Sequence, residues 1–236
     1  TPIGDQVRDV LHDLRNAGAV AFAEGHRPIR HAGMLLRALR YTQPMDGLVL
    51  SLPLDLDLVG KAVVHEGLEA TRLGMAGMPY LAETLMLQRD LSILRYAGGR
   101  LHVPVLSSAE GVALIRAARE EGLMVTAAVP AYQLLLDDRE LDGYDSNMKV
   151  MPPLRSRSDR EALIQGVLDG TIGAVCSHHA PQHQDDKQVE FEYAGYGIAG
   201  LETAYASLRT ALGDRATPER CCALLGRHPR KWFGLP

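Results

Sequence analysis

Five short apolar runs, each followed by a stretch of helical periodicity, leave this chain few folds to choose from. The runs are 19–22, 48–52, 100–106, 124–129 and 172–176. Runs of this length, bounded by glycine or proline, read as parallel strands buried on both faces. Pro104 removes one backbone donor from the third and weakens it as a strand. The segments between them read as helices. Residues 5–17 place Val7, Val10, Leu11 and Leu14 on one side and stop at Gly18, and 31–41 turn Met34, Leu35 and Leu39 inward. In 79–96 the apolar positions Leu81, Leu85, Leu91 and Leu94 recur at helical spacing before Gly98-Gly99. Helices are also expected at 109–121, 161–168 and 201–212, and a last one after Thr217-Pro218. Repeated strand–helix units without hairpin signals give an α/β fold, either most of a (β/α)8 barrel or a doubly wound sheet. No G-x-G-x-x-G turn follows any run, so a dinucleotide-binding sheet is the weaker reading.

Composition narrows the class. The net charge is −4 with both signs scattered, which argues against a nucleic-acid surface. The three cysteines, Cys176, Cys221 and Cys222, form no C-x-x-C pair and fit a reducing, cytoplasmic setting. No apolar run approaches the roughly 20 residues of a membrane span, and no signal peptide is expected at the start. Residues 1–4 read like the middle of a domain, so 1–236 is taken as one partial domain.

Two S-x-x-E patterns, Ser107 to Glu110 and Ser158 to Glu161, mark helix starts by the capping-box rule. The segment 67–77 is rich in glycine and methionine and reads as a connection, with Met75 and Met78 as packing residues. His102 alternates with apolar neighbours and reads as a satisfied core histidine. Cys176 has no base with an orienting partner beside it, so it is not read as a nucleophile. Glu24 to Arg27 reads as a solvated loop and Asp185 to Lys187 as a solvated turn. The stretch 172–181 is the most suggestive: an apolar strand delivers His178 and His179 into its carboxyl end before Pro181. Two adjacent histidines suit a mononuclear metal site, with His183 or Glu24 as a further donor, or a general base. They suit equally a closed pocket with one structural hydrogen bond, because no third ligand stands at a readable spacing.

The run Asp145-Ser146-Asn147-Met148-Lys149-Val150-Met151-Pro152-Pro153-Leu154-Arg155 resembles the dihydroorotases of the amidohydrolase superfamily. The resemblance continues through 159–164, 169–172, His179-Ala180-Pro181 and 200–204, and reaches upstream to 17–22 and 100–110. It implies a (β/α)8 TIM-type barrel of the metal-dependent hydrolase kind, with the five runs here as barrel strands four to eight. The first three strands and a small β-domain of the family would then lie outside this sequence. The implied activity is the reversible, zinc-dependent closure of carbamoyl-aspartate to dihydroorotate in pyrimidine biosynthesis. Such chemistry needs a metal-activated hydroxide and a group to move its proton.

Carried over position by position, the resemblance also implies loss. The acidic ligand of strand four falls at Glu24 or Gly25, with Gly25 favoured by the spacing, the histidine of strand five on Leu52 and that of strand six on Val105. The aspartate of strand eight, ligand and proton shuttle together, falls on His178. A substrate asparagine falls on Met151 and a histidine on Gln182, while the aromatic-glycine substrate pair is kept as Tyr196-Gly197. Glycine, leucine and valine offer no donor to zinc. The chain is therefore most similar to the metal-ligand-depleted, pseudo-dihydroorotase members of the family, with no cofactor expected. Such homologues imply a structural or regulatory role in an oligomer with the catalytic chain of aspartate carbamoyltransferase. The rival expectations are a working hydrolase with a metal site altered around His178 and His179, and a small-molecule binding module.

Overall fold

The computed structural model describes residues 7–25 and 27–236. The expectations for residues 1–6, for the side chains of 7–10 and for His26 fall outside them.

The strands are β1 (Ala21–Phe22), β2 (Leu48–Leu50), β3 (Val64–His65), β4 (Gly77–Met78), β5 (Arg100–Val103), β6 (Val125–Pro130) and β7 (Ala174–Cys176). Five of them form one sheet in the order β1-β2-β5-β6-β7, and every pairing is parallel. The order follows the sequence without reversal. A doubly wound sheet reverses direction at a switch point, whereas consecutive right-handed crossovers around one axis give an arc of a barrel. The sheet therefore decides for the barrel.

The helices are α1 (Val7–Asn16), α2 (Ala32–Thr42), α3 (Leu56–Val59), α4 (Leu68–Leu73), α5 (Leu81–Ala97), α6 (Ala109–Glu120), α7 (Arg157–Leu168), α8 (Gln184–Lys187), α9 (Ala204–Leu212), α10 (Pro218–Cys222) and α11 (His228–Phe233). Successive side chains of a strand point to opposite faces. On the outer face Val49, Leu101, Val103, Val125, Ala127, Val129 and Val175 meet Leu35 and Leu39 of α2, Leu87, Leu91 and Leu94 of α5, and Ile115 of α6 in one core. Each fully buried side chain of this size contributes about 2 kcal/mol. On the inner face the register sets Leu50, His102 and Thr126 side by side. His102 Nδ1 bonds Thr126 Oγ1 at 2.8 Å, and its ring lies 5.3 Å from that of Trp232 on α11. A Cβ on Gly173 would sit 2.6 Å from the Trp232 ring. The missing side chain there makes the socket for the indole.

Four local expectations change. Segment 67–77 is not a bare connection: it holds α4, and β3 and β4 pair in parallel on either side of it. Two-residue strands containing glycine leave no alternation to read. Leu81 and Leu85 of α5 are 42% and 47% exposed, so the inward face is carried by Leu87, Leu91 and Leu94. Asp185 to Lys187, expected as a solvated turn, lies in the single turn of α8, capped by the His183 side chain. Both capping boxes shift. For α7 the box is Ser156 with Asp159, because Asp159 Oδ1 also accepts the Ala109 amide at 2.8 Å and so joins two helix starts. For α6 the cap is Ser108, and the carboxylate that completes it belongs to Glu83 of α5, not to Glu110.

That carboxylate anchors a buried polar network. Glu83 is fully buried. Its Oε2 accepts the amide and hydroxyl of Ser107 at 2.9 and 2.5 Å, and its Oε1 those of Ser108 at 3.0 and 2.5 Å. Arg155, also buried, donates Nε to Ser107 Oγ at 3.1 Å and Nη1 to His65 Nδ1 and the Met78 carbonyl. The arginine of the Pro152-Pro153-Leu154-Arg155 run thus holds helix starts and β4 together.

Candidate functional site

In a barrel of this kind chemistry sits where the strands end in the carboxyl direction. Leu52, Val105, Tyr132 and His178 each lie two residues past the last residue of β2, β5, β6 and β7, and Gly25 lies three past β1. The five positions therefore share one rim of the sheet. Four of them are those the resemblance singled out; Tyr132 is an addition.

The rim carries few donors. Gly25 has a φ of +68° and open space where a Cβ would be. Val105 is buried. Leu52 packs with Met151 against Leu54, Val59, Ala62, Met78 and Ala82. The two positions that the resemblance assigns to a ligand histidine and a substrate asparagine thus share one apolar cluster. His178 adopts a φ of +45°, a left-handed conformation uncommon for a residue with a side chain. Its Nδ1 bonds the buried Tyr132 hydroxyl at 2.7 Å. Burial pushes the Tyr132 phenol far up, with the nearby Cys176 adding to it, so the phenol stays protonated at neutral pH. The Cys176 thiol is itself pushed up to about 11 by burial, which removes it as a nucleophile.

His179 is exposed, and its Nδ1 accepts the Leu201 amide at 3.2 Å. A single bridge to Ile198 and the bond from the Ala180 amide to the Ile198 carbonyl hold the chain beside it. His183 caps α8 in solvent, and Glu24 sits on the loop after β1. Among the described residues no three histidine, cysteine, aspartate or glutamate side chains converge as a metal-holding group. A binuclear zinc centre does not fit the donors on this rim.

The Tyr196-Gly197 pair stands beside the rim. The Tyr196 hydroxyl donates to the Ala62 carbonyl at 3.3 Å, and its ring is 4.6 Å from Lys149 Nζ. Lys149 also faces Phe191 and donates to the Glu192 carbonyl at 2.7 Å. Burial holds its ammonium below the ordinary lysine range. Sequence reasoning passed over Lys149 and Tyr132; the one available signal was that Tyr132 follows β6 at the spacing His178 keeps after β7. Gly197 has a φ of +134° and donates its amide to the Lys149 carbonyl, while a Cβ there would lie 2.1 Å from the Ala180 carbonyl. Gly197→Ala is expected to lower stability by about 2 kcal/mol through strain and collision, read as a lower urea midpoint at unchanged slope.

Comparison with solved structures assigns the architecture. L-hydantoinase from Arthrobacter aurescens superposes with a TM-score of 0.83 at 23% identity, over 98% of this chain and 54% of that one. A dihydroorotase from Saccharomyces cerevisiae, in complex with 5-fluoroorotic acid, superposes with a TM-score of 0.67 at 14% identity over 84% of this chain. The fold is part of a (β/α)8 barrel of the hydantoinase and dihydroorotase kind. Sequence comparison is narrower. Dihydroorotase from Syntrophus aciditrophicus is 42% identical over 225 residues, 95% of this chain and 53% of that protein. That of Carboxydothermus hydrogenoformans is 39% identical over 228 residues, 96% of this chain and again 53% of the relative. The chain spans about half the length of the curated relatives it matches. No protein-family model matches it. Among the described residues no helix is long and apolar enough to cross a membrane.

Proposed function

We propose that this chain is the strand-four-to-eight part of a dihydroorotase-family barrel that no longer hydrolyses a cyclic amide. In this reading it serves as a structural or regulatory partner of the aspartate carbamoyltransferase catalytic chain in pyrimidine biosynthesis. Family membership is supported by the 39–42% identity to curated dihydroorotases over 95–96% of the chain. Loss of catalysis is supported above all by Leu52 and Met151, which join one apolar cluster where the resemblance asks for a metal ligand and a substrate contact. A pocket lined that way is paid for by apolar burial, not by coordination, and the fold is free to persist as a surface.

The test combines zinc analysis with a dihydroorotase assay, on the purified chain alone and mixed with the carbamoyltransferase chain. The expected result is no stoichiometric zinc, no turnover in either case, and co-elution of the two chains. A chelator is expected to leave the thermal midpoint where it was. Stoichiometric zinc with turnover that the chelator abolishes would sink the reading.

A second reading, a working dihydroorotase with an altered metal site, is favoured by the name its sequence relatives carry and by two histidines at the rim. It requires at least three ligands in all. Under it His178→Ala abolishes turnover and zinc uptake; an unchanged rate in that variant removes it.

A further inference from the structure

A cavity of about 360 Å3 opens between the loop after β1, the first turn of α2 and the start of α3, apart from the apolar cluster at the rim. That volume falls in the range of small-molecule sites. Its polar side is made by the Arg27 and Arg30 guanidiniums and the His31 imidazole, and its apolar side by Pro28, Met34 and Leu56. Arg30 is held from outside by Asp57 at 3.2 Å. Arg27 and His31 make no side-chain hydrogen bond or ion pair with any described residue. Glu24 is the one carboxylate in the lining.

The wall is braced from the core. Arg89 donates to the Ile29 and Arg30 carbonyls at 2.7 and 2.9 Å. The same guanidinium is fixed by Asp90, whose other oxygen accepts the Ser51 hydroxyl at 2.6 Å. The loop carrying Arg27 is thus tied through α5 to the end of β2, and the cavity keeps its shape without an occupant. A pre-formed site loses less on binding than one that must order its walls.

The geometry points to a binding site for a small organic acid, its carboxylate between Arg27 and His31 and its hydrocarbon body against Pro28, Met34 and Leu56. A guanidinium matches the two oxygens of a carboxylate with parallel N–H donors. The apolar side gives no such reward to an inorganic anion. The site uses none of Leu52, Val105, Tyr132 or His178, and does not depend on whether the chain hydrolyses anything.

The test follows backbone amide resonances of the purified chain during titration with 4-methylpentanoate, its neutral amide, and inorganic phosphate. The expected result is saturable shifts confined to residues 27–34 and 56, with the neutral amide bound about tenfold more weakly than the acid. Arg27→Ala is expected to weaken the acid by about tenfold while Arg27→Lys retains part of the affinity, and Glu24→Gln is expected to tighten it. Both arginine variants are checked for unchanged spectra elsewhere in the chain. The assignment is overturned if the amide binds as well as the acid, if phosphate binds as well, if Arg27→Ala changes nothing, or if no saturable shift develops by roughly 10 mM acid.

Discussion

Glu83→Ala is expected to lower the stability of this chain by about 3–5 kcal/mol, the range for removing one partner from a buried ionic network. The fully buried carboxylate accepts four hydrogen bonds from Ser107 and Ser108. Deleting it leaves two amides and two hydroxyls with unmet bonds, each a cost of its own. It also leaves the buried Arg155 guanidinium with less compensating charge.

 

Buried Arg155 is supported by the charges of Glu83, Asp159 and Glu110, with Glu83 the largest. Glu83→Gln is expected to be nearly as damaging, because one of its two ends then presents N–H to N–H and O–H donors. Urea unfolding of both variants beside the parent checks the expectation. A loss under about 1 kcal/mol in either would show that the helix starts find other acceptors.

The second large effect is on acid stability. Burial pushes the His102 imidazole down to about 4. An imidazole whose folded value is depressed is neutral in the native state and takes up a proton on unfolding. Its contribution is complete above its unfolded value near 6.5 and is lost as pH falls from there through about 4. The span amounts to about 3 kcal/mol for His102 at 1.36 kcal/mol per pH unit. His65, pushed down to about 4 by burial and then by Arg155, acts in the same sense. Asp138 acts in the opposite sense: burial, and then Asp137, raise it to about 6, so its protonation favours the folded chain as pH falls. The expected net result is a falling thermal midpoint between pH 6.5 and 4, flattened in His102→Gln relative to the parent. Parallel pH profiles for the two proteins would rule out His102 as the source.

Much of this architecture was legible because parallel strands buried on both faces announce themselves as apolar runs. All five runs appear as strands of one sheet, four of them shorter than the run, since Pro104 and the residues after Leu50 turn the chain out of the ladder. The choice between barrel and doubly wound sheet was not legible from the runs, because it lies in strand order and not in composition. The capping pattern was ambiguous for a concrete reason: Ser156 and Ser158 each stand three residues before an acid. Only the tertiary bond from Asp159 to the Ala109 amide selects the first. Likewise no local pattern reveals that the acid serving Ser107 and Ser108 comes from Glu83, 24 residues earlier than Ser107. At the rim, resemblance picked out Gly25, Leu52, Val105 and His178, yet the hydroxyl that meets His178 comes from Tyr132, 46 residues away.

The seating of Trp232 against Gly173 sets a schedule for synthesis. Arg100 donates Nη2 to the Trp232 carbonyl at 2.6 Å across 132 residues, and His228 bonds the Gly173 carbonyl from the same helix. At roughly 5–20 residues per second, a ribosome that has made Arg100 needs on the order of ten seconds more to make its partner. Through that interval the inner face around His102 stands open to water and to other nascent chains. The turn of helix that carries Trp232 is the one that closes it.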